Sequence, residues 1–206
     1  MKVTIIGDSI AMQYGPRVKE LLQGEFEVWQ PDENCRFSKY TLRGLFDWER
    51  YMRGTDIVHW NNGHWDLCNL FGDGPFTSEE EYIDNMLRIL DILQKRYKTV
   101  IFATTPPLLR DGYNKNELVV RYNEIIVPVL RERGVIINDL HSLVSRDVKR
   151  YIDNDDCIHL SAEGIEVCAE QVISYIRDAA RNISGNTYTD CDDSAGGDKT
   201  AKPVLL

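Results

Sequence analysis

The sequence predicts an α/β protein in which a five-stranded parallel sheet lies between two layers of helices. Five short apolar runs rich in β-branched residues occupy residues 3–6, 26–29, 56–60, 99–103 and 135–138. Longer segments with apolar residues at helical spacing separate these runs, which is typical of strands alternating with helices. Such βαβ units have right-handed crossovers and form parallel sheets. The predicted fold is therefore a three-layer α/β/α sandwich.

The helices are predicted from their apolar spacing and from signals at their ends. Pro16 is expected in the first turn of the first helix, because that turn leaves its N–H groups unpaired and proline lacks one. Ser78 and Glu81 form a capping box ahead of a long apolar stripe. Further helices are expected over residues 41–52 and 118–129 and after Ser161.

The chain is predicted to form one domain followed by a tail. A length of 206 residues suits a single domain with a sizeable core. The domain is expected to span residues 1–182. Residues 183–206 are rich in Gly, Ser, Thr and Asp, a composition that buries little apolar surface, so a flexible polar tail is expected there.

Composition and charge exclude several classes of function. A net charge of −9 argues against binding to nucleic acid, which requires clustered Lys and Arg. No apolar run reaches the roughly 18 residues that a membrane span needs. The chain enters a strand directly after Met1. A cytoplasmic protein is therefore expected, or one from which a leader has been removed.

No metal or cofactor is expected. The five cysteines contain no Cys-x-x-Cys pair and the four histidines no His-x-x-x-His pair, so reduced thiols are favoured over a metal site. His59 and His141 are expected to lie outside any site. The loop after the first strand lacks a glycine-rich phosphate cradle, which disfavours a phosphate or flavin site. Nothing in the pattern predicts an oligomer.

Two short motifs carry chemistry. Gly7-Asp8-Ser9-Ile10 follows the first strand directly, at the sheet edge where α/β proteins bind ligands. Asp156 precedes His159 by three residues, just ahead of the final helix. A serine nucleophile needs an adjacent base, and that base needs a group that holds its tautomer. Asp156 can accept the Nδ1 hydrogen of His159, which leaves Nε2 to take a proton from a hydroxyl.

These motifs, in this order on five βα units, resemble the SGNH (GDSL-type) hydrolase family over residues 3–181. The resemblance implies a flavodoxin-like topology and an acyl hydrolase that works through an acyl-enzyme. It implies that Ser9 is the nucleophile and that His159 is the general base and acid. Asp156 would orient His159.

The resemblance also implies donors for an oxyanion hole. The backbone N–H of Ser9, at the entry to a helix, is the first. The family has a glycine in the stretch that corresponds to residues 33–38, where Arg36 or Cys35 stands closest to its place. The family's Gly-x-Asn-Asp is matched by residues 63–66, with Trp65 in place of asparagine. Asn61 and Asn62 directly precede this block and either could supply an amide donor; Asn62 is the expected one.

The expected substrate is a small O-acyl ester, which Asp8, His64 and Trp65 are expected to contact. An O-acetylated carbohydrate is favoured because the loops at the sheet edge are polar and aromatic. The alternative is a ligand-binding module of the same fold that has lost turnover, given the departures at Arg36 and Trp65. No nucleic-acid or membrane partner is expected.

Overall fold

The computed structural model describes residues 1–152 and 155–189, which contain a five-stranded parallel sheet. Its strands are β1 (Lys2–Ile6), β2 (Glu27–Trp29), β3 (Ile57–Trp60), β4 (Thr99–Ala103) and β5 (Ile136–Asn138). Their order is β2-β1-β3-β4-β5, with every neighbouring pair parallel. This is the flavodoxin-like order, and it confirms the predicted sheet.

Helices cover both faces of the sheet, which confirms the three-layer sandwich. They are α1 (Ser9–Leu21), α2 (Ser38–Asp47), α3 (Glu49–Met52), α4 (Glu79–Gln94), α5 (Asn116–Glu132), α6 (Leu140–Ser145), α7 (Val148–Tyr151) and α8 (Ala162–Thr189). Helix α1 packs on α8, whereas α4 packs between α2 and α5.

The sheet separates two apolar cores. Because successive strand residues point to opposite faces, Val3 and Ile5 of β1 pack toward α1 and α8, while Ile6 packs toward α4 and α5. The same alternation places Ile101 in the first core and Phe102 in the second. Burial on both faces explains why the strands appear in the sequence as near-continuous apolar runs.

The first helix begins earlier than predicted. Asp8 accepts a hydrogen bond from the backbone N–H of Ile10 at 3.0 Å and caps α1, so the helix starts at Ser9. Pro16 therefore lies well inside α1, and its expected place in the first turn is wrong. The helix expected over residues 41–52 is interrupted at Trp48 and forms α2 and α3.

Two short helices between β5 and α8 were not predicted. An aspartate caps each one: Asp139 accepts from the N–H of Ser142 and Asp147 accepts from the N–H of Arg150. An Asp directly before a short apolar or basic turn is the sequence signal that indicates such caps.

The final helix extends past the predicted domain end. Helix α8 continues to Thr189, so the tail does not start at residue 183. Ile183 packs against the core on the α1 side, which gives the extra turns an apolar anchor. The rest of the predicted tail, residues 190–206, lies outside the described residues. Within the described part, no helix is long and apolar enough to cross a bilayer.

The loop between α7 and α8 is closed at its base. An isolated antiparallel bridge joins Ile152 to Leu160, and the N–H of Ser161 donates to the carbonyl of Tyr151 at 2.9 Å. Gly164, in the first turn of α8, lies against the same carbonyl: a Cβ there would be 2.1 Å from the Tyr151 oxygen. Only glycine lets α8 approach α7 this closely.

We therefore expect Gly164→Ala to lower the free energy of unfolding by about 1–3 kcal/mol, as is usual when a packed contact is overfilled. Urea unfolding followed by circular dichroism measures the change. Gly185→Ala in the same helix is the matched control, because no atom lies within 4 Å of its added Cβ. It is expected to leave stability unchanged or raise it slightly. Equal stability of the two variants would contradict this account of the α7–α8 contact.

Candidate active site

The candidate site lies at the carboxyl ends of β1 and β3, where the strand order reverses. From β1 the chain passes to β2 on one side of the sheet, and from β2 it returns to β3 on the other. The loops that leave β1 and β3 thus diverge and open a crevice, which is where open α/β sheets bind ligands.

The structure brings Ser9, His159 and Asp156 into one hydrogen-bonded chain. The Oγ of Ser9 lies 2.8 Å from Nε2 of His159, although the two residues are 150 positions apart in the sequence. On the other side of the ring, Nδ1 of His159 hydrogen-bonds Oδ2 of Asp156. These are the three residues that the two motifs and the family resemblance singled out.

Asp156 is held as an ionised acceptor. Its Oδ1 accepts from the backbone N–H groups of Ile158 and His159, each at 2.9 Å. Burial opposes ionisation, but these bonds and the ring of His159 outweigh it and lower the pKa of Asp156 to about 2. An ionised carboxylate only accepts hydrogen bonds, so Nδ1 of His159 carries the hydrogen and Nε2 faces Ser9 as an acceptor.

Gln13 connects α1 to the loop before α8 that carries His159, called here the histidine loop. The sequence analysis did not predict this role. Its Oε1 accepts from the N–H of Leu160 at 2.9 Å and its Nε2 donates to the Leu160 carbonyl at 3.2 Å. Gln13 lies four residues after Ser9 on α1, hence on the same face of the helix. That spacing is the signal by which it could have been found.

The backbone N–H of Ser9 lies at the first position of α1, as expected. The first N–H groups of a helix have no partner within the helix, and no hydrogen bond from this N–H to a described residue is found. It is therefore free to donate to a ligand.

The N–H of Arg36, an expected oxyanion donor, is already engaged. It donates to Oδ1 of Asn34 at 2.7 Å. Arg36 adopts a φ of 51°, in the left-handed region that favours glycine, which is consistent with the glycine of the family pattern at this place. Its guanidinium lies 4.8 Å from the ring centre of Tyr40.

The amide of Asn62, the other expected donor, is fully buried and engaged at both ends. Nδ2 donates to the carbonyl of Arg36 at 2.8 Å, and Oδ1 accepts from the indole N–H of Trp60 at 2.7 Å. Asn62 therefore connects the end of β3 to the loop before α2.

Asp8, which was expected to contact the substrate, has no exposed surface. It is fully buried, caps α1, and donates its N–H to Oδ1 of Asn61 at 3.1 Å. Burial raises the pKa of its carboxyl to about 6, although nearby backbone N–H groups and His159 oppose the rise. Its role is to shape the turn that presents Ser9.

Asp66 anchors the N-terminus of α2 from the loop after β3. Its buried carboxylate accepts from the backbone N–H of Ser38, at 2.9 and 3.0 Å, and from the Ser38 hydroxyl at 2.6 Å. Burial raises the pKa of Asp66 to about 6, and the bonds from Ser38 partly oppose this.

A cleft of about 340 Å³ opens beside Ser9. The residues that line it come from the turn after β1, the loops after β2 and β3, the loop before α5 and the histidine loop: Ser9, Asn34, His64, Trp65, Cys68, Leu70, Tyr113, Asn114, Ile158 and His159. His64 and Trp65 were predicted here, whereas Asn34 and Asn114 were not. Trp65 and Tyr113 are 39% and 70% exposed. Among the described residues, no cluster of three or more His, Cys, Asp or Glu side chains could hold a metal ion.

The chain is similar in sequence to two GDSL esterases/lipases. The chain is 32% identical over 189 residues to the GDSL esterase/lipase WDL1 of Oryza sativa subsp. japonica, covering 84% of this chain and 71% of that protein. It is 28% identical over 123 residues to the GDSL esterase/lipase CPRD49 of Arabidopsis thaliana, covering 52% of this chain and about half (48%) of that relative. No protein-family model matches the chain.

Solved structures share the fold. An acetyl xylan esterase, AlAXEase, superposes with a TM-score of 0.72 at 20% identity, covering 85% of this chain and all (100%) of that one. A lipase/acylhydrolase from Enterococcus faecalis gives a TM-score of 0.70 at 15% identity, covering 87% and 96%.

The flavodoxin-like fold of this chain is thus the one found in these esterases and acylhydrolases. The chain belongs to the GDSL esterase/lipase family, also called SGNH hydrolases, and it is a carboxylic-ester hydrolase.

The raised pKa of Asp66 predicts a pH dependence of stability. The folded pKa of about 6 lies above the ordinary 3.8, so between these values the folded state keeps a proton that the unfolded chain releases. Stability should therefore fall as the pH rises from about 4 to about 6, by up to about 3 kcal/mol from this group.

Asp66→Asn should remove this contribution because the amide does not titrate. Urea unfolding at pH 4.5 and pH 7 measures it. We expect the difference in unfolding free energy between the two pH values to be smaller in the variant than in the wild type. Parallel pH curves for the two proteins would contradict the assignment.

Proposed function

We propose that the protein is a serine esterase that cleaves a small O-acyl ester through a Ser9–His159–Asp156 triad and an acyl-enzyme. The observation that carries the proposal is the unbroken chain of hydrogen bonds from Ser9 Oγ through the His159 ring to Asp156. A serine hydroxyl is a weak nucleophile unless a base removes its proton as it attacks.

The first half of the reaction is acylation. Ser9 Oγ forms a bond to the ester carbonyl carbon, its proton passes to Nε2 of His159, and the carbonyl π electrons move onto the oxygen. Asp156 stabilises the imidazolium that results. When the tetrahedral oxyanion collapses, the bond to the alcohol oxygen breaks and His159 protonates the leaving alcohol. Ser9 is left as an acyl ester.

The second half returns the enzyme to its starting state. His159 takes a proton from water while the water oxygen attacks the acyl carbon. Collapse of this second oxyanion breaks the bond to Ser9 Oγ, which takes the proton back from His159, and the carboxylic acid leaves. No cofactor is needed at any step.

The substrate is proposed to carry a short acyl group, and an O-acetylated carbohydrate suits the cleft. Its volume of about 340 Å³ is at the lower end of the range of about 300–1,000 Å³ for ligand pockets. The exposed rings of Trp65 and Tyr113 at its mouth suit stacking on a sugar ring. The net charge of −9 disfavours anionic substrates.

A cytoplasmic location and the absence of a nucleic-acid partner stay predictions from the sequence.

A binding module without turnover is the competing proposal. It is favoured by the engaged amides of Arg36 and Asn62, which leave fewer donors for an oxyanion than the family pattern supplies. The intact contact between Ser9 and His159 favours the hydrolase. A fluorophosphonate probe separates the two, because only an activated serine reacts with it.

Ser9→Ala and His159→Ala should each abolish hydrolysis of p-nitrophenyl acetate. Removal of a triad member leaves only the catalysis that binding and the oxyanion donors supply, so a loss of at least about 10³-fold in kcat is expected. Stopped-flow or plate-reader release of p-nitrophenol measures it.

Ser142→Ala is the matched control for the serine variant. Ser142 is exposed in α6, and its hydroxyl donates to Asp139 rather than to any group of the cleft. It should hydrolyse the ester at the wild-type rate. Wild-type rates for both Ser9→Ala and His159→Ala would end the triad proposal.

The size of the cleft predicts a preference for short acyl chains. Across p-nitrophenyl esters from acetyl to dodecanoyl, kcat/KM should be highest at two to four carbons and fall steeply beyond. Release of acetate from acetylated xylose, measured in parallel, tests the carbohydrate part of the proposal. A value of kcat/KM that rises with chain length would indicate a lipase instead.

A further inference from the structure

We propose that His64 donates a hydrogen bond from its Nε2–H to the oxyanion of the tetrahedral intermediate. In the family pattern an asparagine amide donates this hydrogen bond. The proposal rests on the proposed function, since it concerns the same acyl transfer at Ser9. Because the amides of Arg36 and Asn62 donate to other groups of the protein, the oxyanion needs a donor besides the N–H of Ser9.

The first observation is a buried nitrogen without a partner. Four buried side-chain atoms of the described residues have no hydrogen-bond partner: Asp8 Oδ2, Tyr14 OH, His59 Nδ1 and His64 Nε2. Of these four residues, His64 alone lines the cleft that contains Ser9 and His159. The side chain is 4% exposed. A buried donor without a hydrogen-bond partner costs free energy. Such a donor is explained if a bound ligand supplies the acceptor.

The second observation establishes which ring nitrogen of His64 carries the hydrogen. Nδ2 of Asn114 donates to the backbone carbonyl of His64 at 3.0 Å, which fixes the orientation of the amide. The same Nδ2 lies 3.4 Å from Nδ1 of His64. Because Nδ2 can only donate, Nδ1 must face it as an acceptor, and the hydrogen is therefore on Nε2.

The charge of the ring also suits a donor that keeps its proton. Burial lowers the pKa of His64 to about 3, and His159 and His141 lower it further. His64 is therefore neutral at the pH at which esters are hydrolysed. A neutral imidazole stabilises developing negative charge without transferring a proton, as histidine does in triosephosphate isomerase.

The third observation is the position of His64 next to the serine turn. Its backbone N–H lies close enough to the Asp8 carboxylate to lower that group's pKa, and Asp8 directly precedes Ser9. The preceding residue, Gly63, packs so closely on Thr105 that a Cβ would lie 1.9 Å from Thr105 Oγ1. The loop after β3 is thereby fixed on Thr105, and Ser9 and His64 line the same cleft. In the proposed mechanism, the N–H of Ser9 and the Nε2–H of His64 act together as the donors to the oxyanion.

Asn34 is the competing donor. It lines the cleft, and its Oδ1 accepts from the N–H of Arg36, while its Nδ2 has no acceptor among the described residues. Unlike His64, Asn34 is partly exposed and is not held by a second side chain, so it is less preorganised. The experiment includes it as a separate arm.

The test measures kcat and KM for p-nitrophenyl acetate in four variants of the full chain. His64→Phe should lower kcat by about 10²–10³-fold with little change in KM, as expected for a lost oxyanion donor. His64→Gln, which offers an amide N–H in its place, should recover at least about tenfold of that loss. It should also keep the pH midpoint of the wild type, because the proton acceptor is still His159.

The third variant, His141→Phe, makes the same substitution in α6. His141 does not line the cleft, so this variant should leave kcat unchanged. The fourth, Asn34→Ala, should cost less than about tenfold. A large loss in Asn34→Ala together with wild-type kcat in His64→Phe would overturn the proposal and assign the task to Asn34.

A measurement on the wild-type protein keeps the proposal falsifiable if His64→Phe does not fold. In histidine-¹⁵N-labelled protein, the His64 nitrogen shifts should report the Nε2–H tautomer. Its Hε2 resonance should move downfield when Ser9 is phosphonylated with a fluorophosphonate, whose P–O⁻ mimics the oxyanion. An Nδ1–H tautomer, or an unmoved Hε2 in the phosphonylated protein, would overturn it. Absence of phosphonylation would instead count against the proposed function.

Discussion

The contact between Ser9 and His159 is the interaction on which the arrangement of the site depends. It joins the first βα turn to the last loop before α8, so it exists only when the whole sheet has assembled and α8 packs beside α1. Two supports keep it in place. Gln13 fixes the loop to α1 on one side, and Asp156 fixes the ring of His159 on the other.

A network of buried polar groups connects the loops after β2 and β3, which contribute residues to the cleft. Asn62 binds the carbonyl of Arg36, and Asp66 binds the N-terminus of α2 through Ser38. These bonds satisfy groups that burial would otherwise leave unpaired. They also hold the loops after β2 and β3 in one relative position. The network therefore has an architectural role, and it explains why the side-chain amide of Asn62, expected to face the oxyanion, is buried in the protein.

Burial and hydrogen bonding shift the pKa values of the acidic groups around the site in opposite directions. Asp156 receives several hydrogen bonds and stays ionised, which holds the tautomer of His159. Asp8 and Asp66 are more deeply buried and their pKa values are raised to about 6. His64 is neutral for the same reason of burial. One acidic group is thus kept charged by its partners, while desolvation shifts its buried neighbours toward their neutral forms.

The sequence by itself determined the fold class and the three residues of the proposed triad. Apolar runs and helical stripes are local signals that follow from burial on both faces of a parallel sheet. Ser9 and the Asp156–His159 pair lie at strand and helix ends, where short motifs can be recognised in the sequence. It did not determine the start of α1, where the cap at Asp8 outweighs the preference of Pro16 for a first turn. The tertiary structure alone decided the partners of Arg36, Asn62 and His64, because hydrogen bonds between loops distant in sequence leave no periodic trace. Which donors face the cleft beside Ser9 depends on those long-range bonds and on burial, and neither can be read from residue spacing.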